Sequence, residues 1–193
     1  MNVRLRNDFF IKAAVWYDNK FRINNYSVTC DFITTSDFPE DHIVALDRIN
    51  YIFDYCNDCC FIHEENVKKI KSLKSCDITV IDLPQEPVDQ IVGLVLFYKI
   101  NSVCEQRFLC TDLDISSELG SNIHYLHSHN EKTSVIPESG WWYDNSPDCY
   151  TMTRQSDKKI VQLPIKNSWQ NLDLSWSNNE SFTSSLHQML PHD

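Results

Sequence analysis

Glycine is nearly absent from this chain: three in 193 residues, Gly93, Gly120 and Gly140. Phosphate-cradling loops and dinucleotide fingerprints need two or three glycines within about six to eight residues. Here neighbouring glycines stand at least 20 positions apart, which excludes both. Long hydrophobic runs are also missing, and none approaches the roughly 20 residues of a membrane-spanning helix. The opening residues, MNVRLRNDFF, lack the apolar stretch and small-residue cleavage site of a secretory signal. A soluble, cytoplasmic chain is expected. Basic residues are few, 17 against 27 acids, and direct nucleic-acid binding is not expected where the acids gather. Cysteine is not scarce, but the eight present are scattered along a chain long enough to fold without staples, and they read as reduced thiols.

What the sequence does have is charge in one place. The segment 37–65 carries eight acids, Asp37, Glu40, Asp41, Asp47, Asp54, Asp58, Glu64 and Glu65, against the single base Arg48. That is −7 of a formal net charge of −10. Residues 1–29 are basic, with Arg4, Arg6, Lys12, Lys20 and Arg22 against Asp8 and Asp18. Such asymmetry speaks to partners and solubility rather than to fold.

The periodicity gives an order of elements. Residues 9–17 and 21–34 read as strands joined at Asp18-Asn19, a turn-forming pair between apolar runs; a short helix is the rival for the first. In the second, Phe21 and Ile23 alternate in one register and Tyr26, Val28, Cys30 and Phe32 in the other, which predicts a bulge at Asn24-Asn25. From 39 to 56 the period becomes helical, with Ala45, Ile49, Ile52, Phe53 and Cys56 on one stripe. Asp37 and Glu40 resemble a capping box there, with Pro39 in the first turn. A short strand at 60–62, a helix at 64–74 and a strand at 78–83 follow. The run 91–98 is apolar on all sides except Gly93 and reads as a buried helix continuing to 103, with a strand as rival. Strands are expected at 107–115 and 122–127, then an aromatic loop at 140–143, one further strand at 160–165, and a polar tail at 175–193. The fold class is α+β: a mixed, largely antiparallel sheet with about three helices packed on it. Residues 1–150 form the domain, and 151–193 an extension partly packed and partly flexible.

Four constellations could carry chemistry. Glu40, Asp47 and Asp54 recur every seven residues, so they return to nearly one helix face about 10 Å apart, and Asp58 would extend the row. This is either a solvated face or a row of carboxylates offered to a basic protein surface. His124, His127 and His129 are the candidate metal ligands, for zinc or another divalent ion. On a strand His127 and His129 point to one side with Cα atoms about 6.6 Å apart, and His124 to the other. A third ligand would come through a turn, or from Asp112, Asp114, Asp148 or Cys149. Asp112 and Asp114 share a strand face, as magnesium-binding carboxylates do. Cys56, Cys59, Cys60 and His63 bunch four soft ligands, but no second pair lies at zinc-site spacing, so buried thiols are the expectation. Trp141 and Trp142 serve either a partner surface or the core.

The strings Glu86 through Gly93, Asp114 through Gly120, Tyr125-Leu126-His127-Ser128 and Gly140-Trp141-Trp142 together resemble an uncharacterised protein family of T-even-like tailed phages, over roughly residues 8–143. The resemblance implies a viral protein made in a bacterial cytoplasm and carries over no catalytic residue. The expected function is a non-enzymatic phage accessory protein, without cofactor, that binds a protein partner. That partner is a host defence or transcription factor, or a virion or assembly component. The contact would run through the acidic helix face, and self-association is compatible with it. The alternative is a metal-dependent hydrolase of a phosphorylated or nucleotide-like substrate, using the histidines with Asp112 and Asp114.

Overall fold

The structure, a computed structural model, describes residues 3–129, 134–151 and 167–177. Its strands are β1 (Arg4–Tyr17), β2 (Lys20–Thr34), β3 (Cys60–His63), β4 (Val80–Leu83), β5 (Phe108–Ser117) and β6 (Tyr125–Ser128). The helices are α1 (Pro39–Cys56), α2 (Val67–Lys74) and α3 (Asp89–Cys104). They form the expected α+β domain around a six-stranded sheet in the order β4-β3-β1-β2-β5-β6. The four strands β1, β2, β5 and β6 pair antiparallel. Strands β3 and β4 add in parallel beyond β1, as the intervening helices require. No described helix is long and apolar enough to cross a membrane.

The β1–β2 hairpin turns on Asp18 and Asn19, both at positive φ (50° and 57°), which two residues of this type tolerate and which matches the right-handed strand twist. The pairing then runs without slip from Tyr17↔Lys20 to Arg4↔Ile33. The bulge expected at Asn24-Asn25 is therefore absent. Asn24 is buried in the same register as Tyr26, while Phe21 and Ile23 are exposed on the opposite face. The sheet's irregularity is on β5, where Asp31 faces Asp112 but Phe32 faces Cys110, leaving Thr111 as the extra residue.

Helices α1 and α3 cover one face of the sheet. Ala45, Ile49, Ile52 and Phe53 of α1 and most of α3 pack there on Ile11, Val28, Phe32 and Leu113. Each such aliphatic or aromatic side chain contributes about 1.5–3 kcal/mol by leaving water. Phe9 of β1 stacks on Phe53 at 3.9 Å between ring centroids. Helix α3 has no polar stripe because it meets the sheet, α1 and the 141–143 turn. Gly93 is required at the closest approach: a Cβ there would stand 2.4 Å from Ile115 Cγ2. Helix α2 lies on the opposite face, where Leu73 and Ile70 close a smaller core over Cys60, Ile62, Val80 and Trp16. The rest of that face, including Phe10, Ile23 and Leu126, is open. The strand expected at 160–165 lies outside the described residues.

Candidate functional site

Helix α1 is amphipathic for the reason its sequence indicates: the apolar stripe seats on the sheet and the opposite face meets solvent. Its N-cap is Phe38, without a side-chain cap, so Asp37 and Glu40 form no capping box. Ser36 braces the helix start instead, its Oγ accepting from the Phe38 amide at 3.2 Å and donating to Asp41 at 2.8 Å. Glu40, Asp47, Asp54 and Asp58 are all exposed. Among the described residues none of the four makes an ion pair. Ile43 lies on the same side, one turn from Glu40 and one from Asp47, and is 62% exposed.

The acidic segment's two remaining charged residues on α1 do something else. Asp41 is 1% exposed and Arg48 2%. Arg48 donates to the Val103 carbonyl at 3.0 Å, to Glu105 at 2.8 Å and to the Leu174 carbonyl at 2.8 Å. Its guanidinium lies 3.8 Å from the ring centre of Trp176 and 4.6 Å from that of Trp169. Burial pulls its pKa down and Glu105 holds it up. Arg107, 4% exposed, pairs with Asp41 at 3.2 Å and lies 4.4 Å from the Trp176 ring. Two arginines and two carboxylates thus form a neutral cluster under the 167–177 segment, with Glu105 at its solvent side. Sequence reasoning missed it, although a signal existed: Asp41 and Arg48 fall on the helical stripe of Ala45, Ile49 and Ile52, where a charge must be paired. The withdrawal of Asp41 and Arg48 leaves the surface of segment 37–65 with seven carboxylates and no arginine or lysine.

The other candidates are distributed differently. His124, exposed, donates from Nδ1 to both oxygens of the Asp114 carboxylate at 3.0 Å on the open sheet face. His127 is 8% exposed on the helix-covered face, packed against the Gly93 site. His129 follows the end of β6 and is exposed. The structure does not bring the three together, and among the described residues no group of three His, Cys, Asp or Glu side chains is placed to hold a metal ion. Asp112 and Asp114 do share the open face, beside Asp31, whose carboxyl Arg6 holds below its ordinary range through two 2.7 Å hydrogen bonds. Cys56 and Cys59 lie in the main core and Cys60 in the smaller one. Burial pushes all three thiols up, Cys60 to about 11. Trp141 and Trp142 are 6% and 2% exposed. They are packing residues, a correction to their reading as a partner surface, anchored by hydrogen bonds to the Asp82 and Pro137 carbonyls. Lys99, fully buried, spends its three N–H donors on the carbonyls of Trp141, Asp144 and Ser146.

No family model matches the chain. Over 137 residues it is 28% identical to the histidine–tRNA ligase of Mycoplasma mycoides subsp. mycoides SC, an alignment covering 66% of this chain and 32% of that protein. The chain thus spans about a third of the length of that relative. Among solved structures, it is similar to the 6-pyruvoyl tetrahydropterin synthase of Caenorhabditis elegans, with a TM-score of 0.42 and 15% identity. That match covers 67% of this chain and 97% of the other. The corresponding enzyme of Plasmodium vivax gives a TM-score of 0.45 at 8% identity, over 68% of this chain and 99% of that one.

Proposed function

We propose that this protein acts by binding a protein partner with a basic surface, and that the exposed face of α1 is the contact. The observation that carries this reading is the separation of charges within segment 37–65. Its one base and one of its acids are buried in ion pairs, and seven carboxylates remain on the surface with no cation among them. A surface of one sign steers association with an oppositely charged partner and excludes like-charged ones. Ile43, exposed between Glu40 and Asp47, supplies an apolar anchor within the charged rim, the arrangement from which interfaces draw specificity. The same repulsion disfavours nucleic acid at this face. The resemblance to T-even-like phage proteins supports reading it as a viral accessory protein acting in the host cytoplasm. A host defence or transcription factor, or a virion or assembly component, would be the partner.

The test is capture from phage-infected cell lysate by the wild-type chain and by the Asp47→Lys/Asp54→Lys variant. Both positions are exposed, so the variant should keep its stability within about 0.5 kcal/mol. It should lose the captured partner, and wild-type capture should weaken steeply with salt. Capture unchanged by the double reversal would refute the assignment.

A further inference from the structure

Strand β1 is 14 residues long, but β3 covers only its last part, from Ala14 to Trp16. Just before that, Lys12 receives the Asp58 amide on its carbonyl and gives its own amide to Asn57 Oδ1. These contacts show which backbone groups point away from β2: those of the even-numbered residues, by the two-residue period. Continuing outward, the N–H and C=O groups of Phe10, Asp8 and Arg6 point the same way, and among the described residues no backbone partner meets them. Among the described residues, positions 4–10 therefore present an unpaired sheet edge, bounded at Lys12 by the 57–58 backbone.

Exposed edges are commonly protected by charges of one sign, which repel a second strand. This edge has the opposite design. If the window pairs antiparallel with itself about Asn7, Arg6 stands opposite Asp8 of the other copy and Asp8 opposite Arg6. Leu5 then faces Phe9, and Arg4 faces Phe10. Every residue with outward backbone groups meets another such residue, so each pair exchanges two N–H···O=C bonds. Directly opposed side chains lie about 4.5–5.5 Å apart at Cβ. The groups needed are also to hand: Arg6 holds Asp31 through Nε and Nη2, leaving Nη1, and Asp8 accepts from Thr29 on Oδ1, leaving Oδ2. Leu5 and Phe9 are only partly buried against the core, and the pairing extends that apolar layer. We propose that residues 4–10 of β1 are a self-association edge, through which two copies join their sheets across a two-fold axis at Asn7.

Sedimentation of the full chain over a dilution series tests this, together with two variants. The wild type should form a dimer that dissociates on dilution from about 100 μM. Asp8→Pro removes an outward N–H, a change an edge strand tolerates in the monomer, and should weaken the dimer at least about tenfold. Asn7→Cys, in a Cys76→Ser background that removes the exposed native thiol, should oxidise to a covalent dimer much faster than Asp8→Cys, because only residue 7 meets its own copy. A wild type monomeric at about 100 μM overturns the proposal. So does a dimer undiminished in folded Asp8→Pro, or equal crosslinking at positions 7 and 8; the crosslinking comparison decides by itself if Asp8→Pro fails to fold.

Discussion

Replacing Arg48 by alanine would remove, at one position, every tie between α1 and the 167–177 segment that runs through the guanidinium. The carbonyls of Val103 and Leu174 lose a charged donor each, and a buried acceptor left unmet costs about 1–3 kcal/mol. Glu105 is 30% exposed and regains water, so its share is small. Two cation–π contacts, at 3.8 and 4.6 Å, add about 0.5–2 kcal/mol each. Contributions that share one side chain do not add fully, and a total of about 3–5 kcal/mol follows, in the range for breaking a buried pair. At roughly 2–4 °C per kcal/mol for a chain of this size, the midpoint should fall by about 10 °C. Urea unfolding followed by tryptophan emission is the assay, because Trp169 and Trp176 would leave the cluster and shift to the red before the main transition. A loss below about 1 kcal/mol with unchanged emission would refute the role given to Arg48.

Three further outcomes are expected. Thiol reagents at neutral pH should modify one cysteine rapidly in the native protein, Cys76, since the other seven are buried; mass spectrometry after brief labelling would show more than one adduct if the cores were misassigned. Gly93→Ala should cost about 1–3 kcal/mol, because the new methyl collides with Ile115 Cγ2 at 2.4 Å and with the His127 ring at 2.9 Å; an unchanged unfolding midpoint would count against this packing. Arg6→Ala should raise the pKa of Asp31. In the wild type the folded pKa is depressed, so the pair stabilises above the ordinary carboxylate range and that contribution disappears as pH falls through the folded value. The pair is exposed and screened by solvent, so at neutral pH its loss should lower stability only slightly, with the difference from wild type vanishing in acid.

The elements legible in the sequence were those whose period is set by one buried face. The α1 stripe, the all-round apolar α3 and the Asp18-Asn19 turn required no knowledge of neighbours. No bulge is needed at Asn24-Asn25 because Phe21 and Ile23 do not share a face with Tyr26 and Val28. Phe21 and Ile23 lie on the outer face, where Trp16 meets Phe21 edge-on at 4.6 Å and Lys69 of α2 covers Trp16 at 4.2 Å. The true slip was visible in β5: the buried residues Phe108, Cys110, Leu113 and Ile115 change parity after Cys110. The acidic row of the candidate site was readable directly. Its purity was not, since the partners of Asp41 and Arg48 lie 66 and 57 residues away, at Arg107 and Glu105, a separation no local pattern encodes. The histidines do not assemble because β6 spans only Tyr125–Ser128: His127 alone is on the strand, facing the helices, while His124 and His129 lie beyond its ends.

The bond from Arg48 to the carbonyl of Leu174 spans 126 residues of chain. At roughly 5–20 residues per second of synthesis, Arg48 is made about 6–25 s before the segment that covers it. During that interval α1 has a charge on its core side without its tryptophan lid, whatever else has folded. Translation itself therefore sets when this helix can settle, and the 167–177 segment acts as a latch made long after the helix it holds.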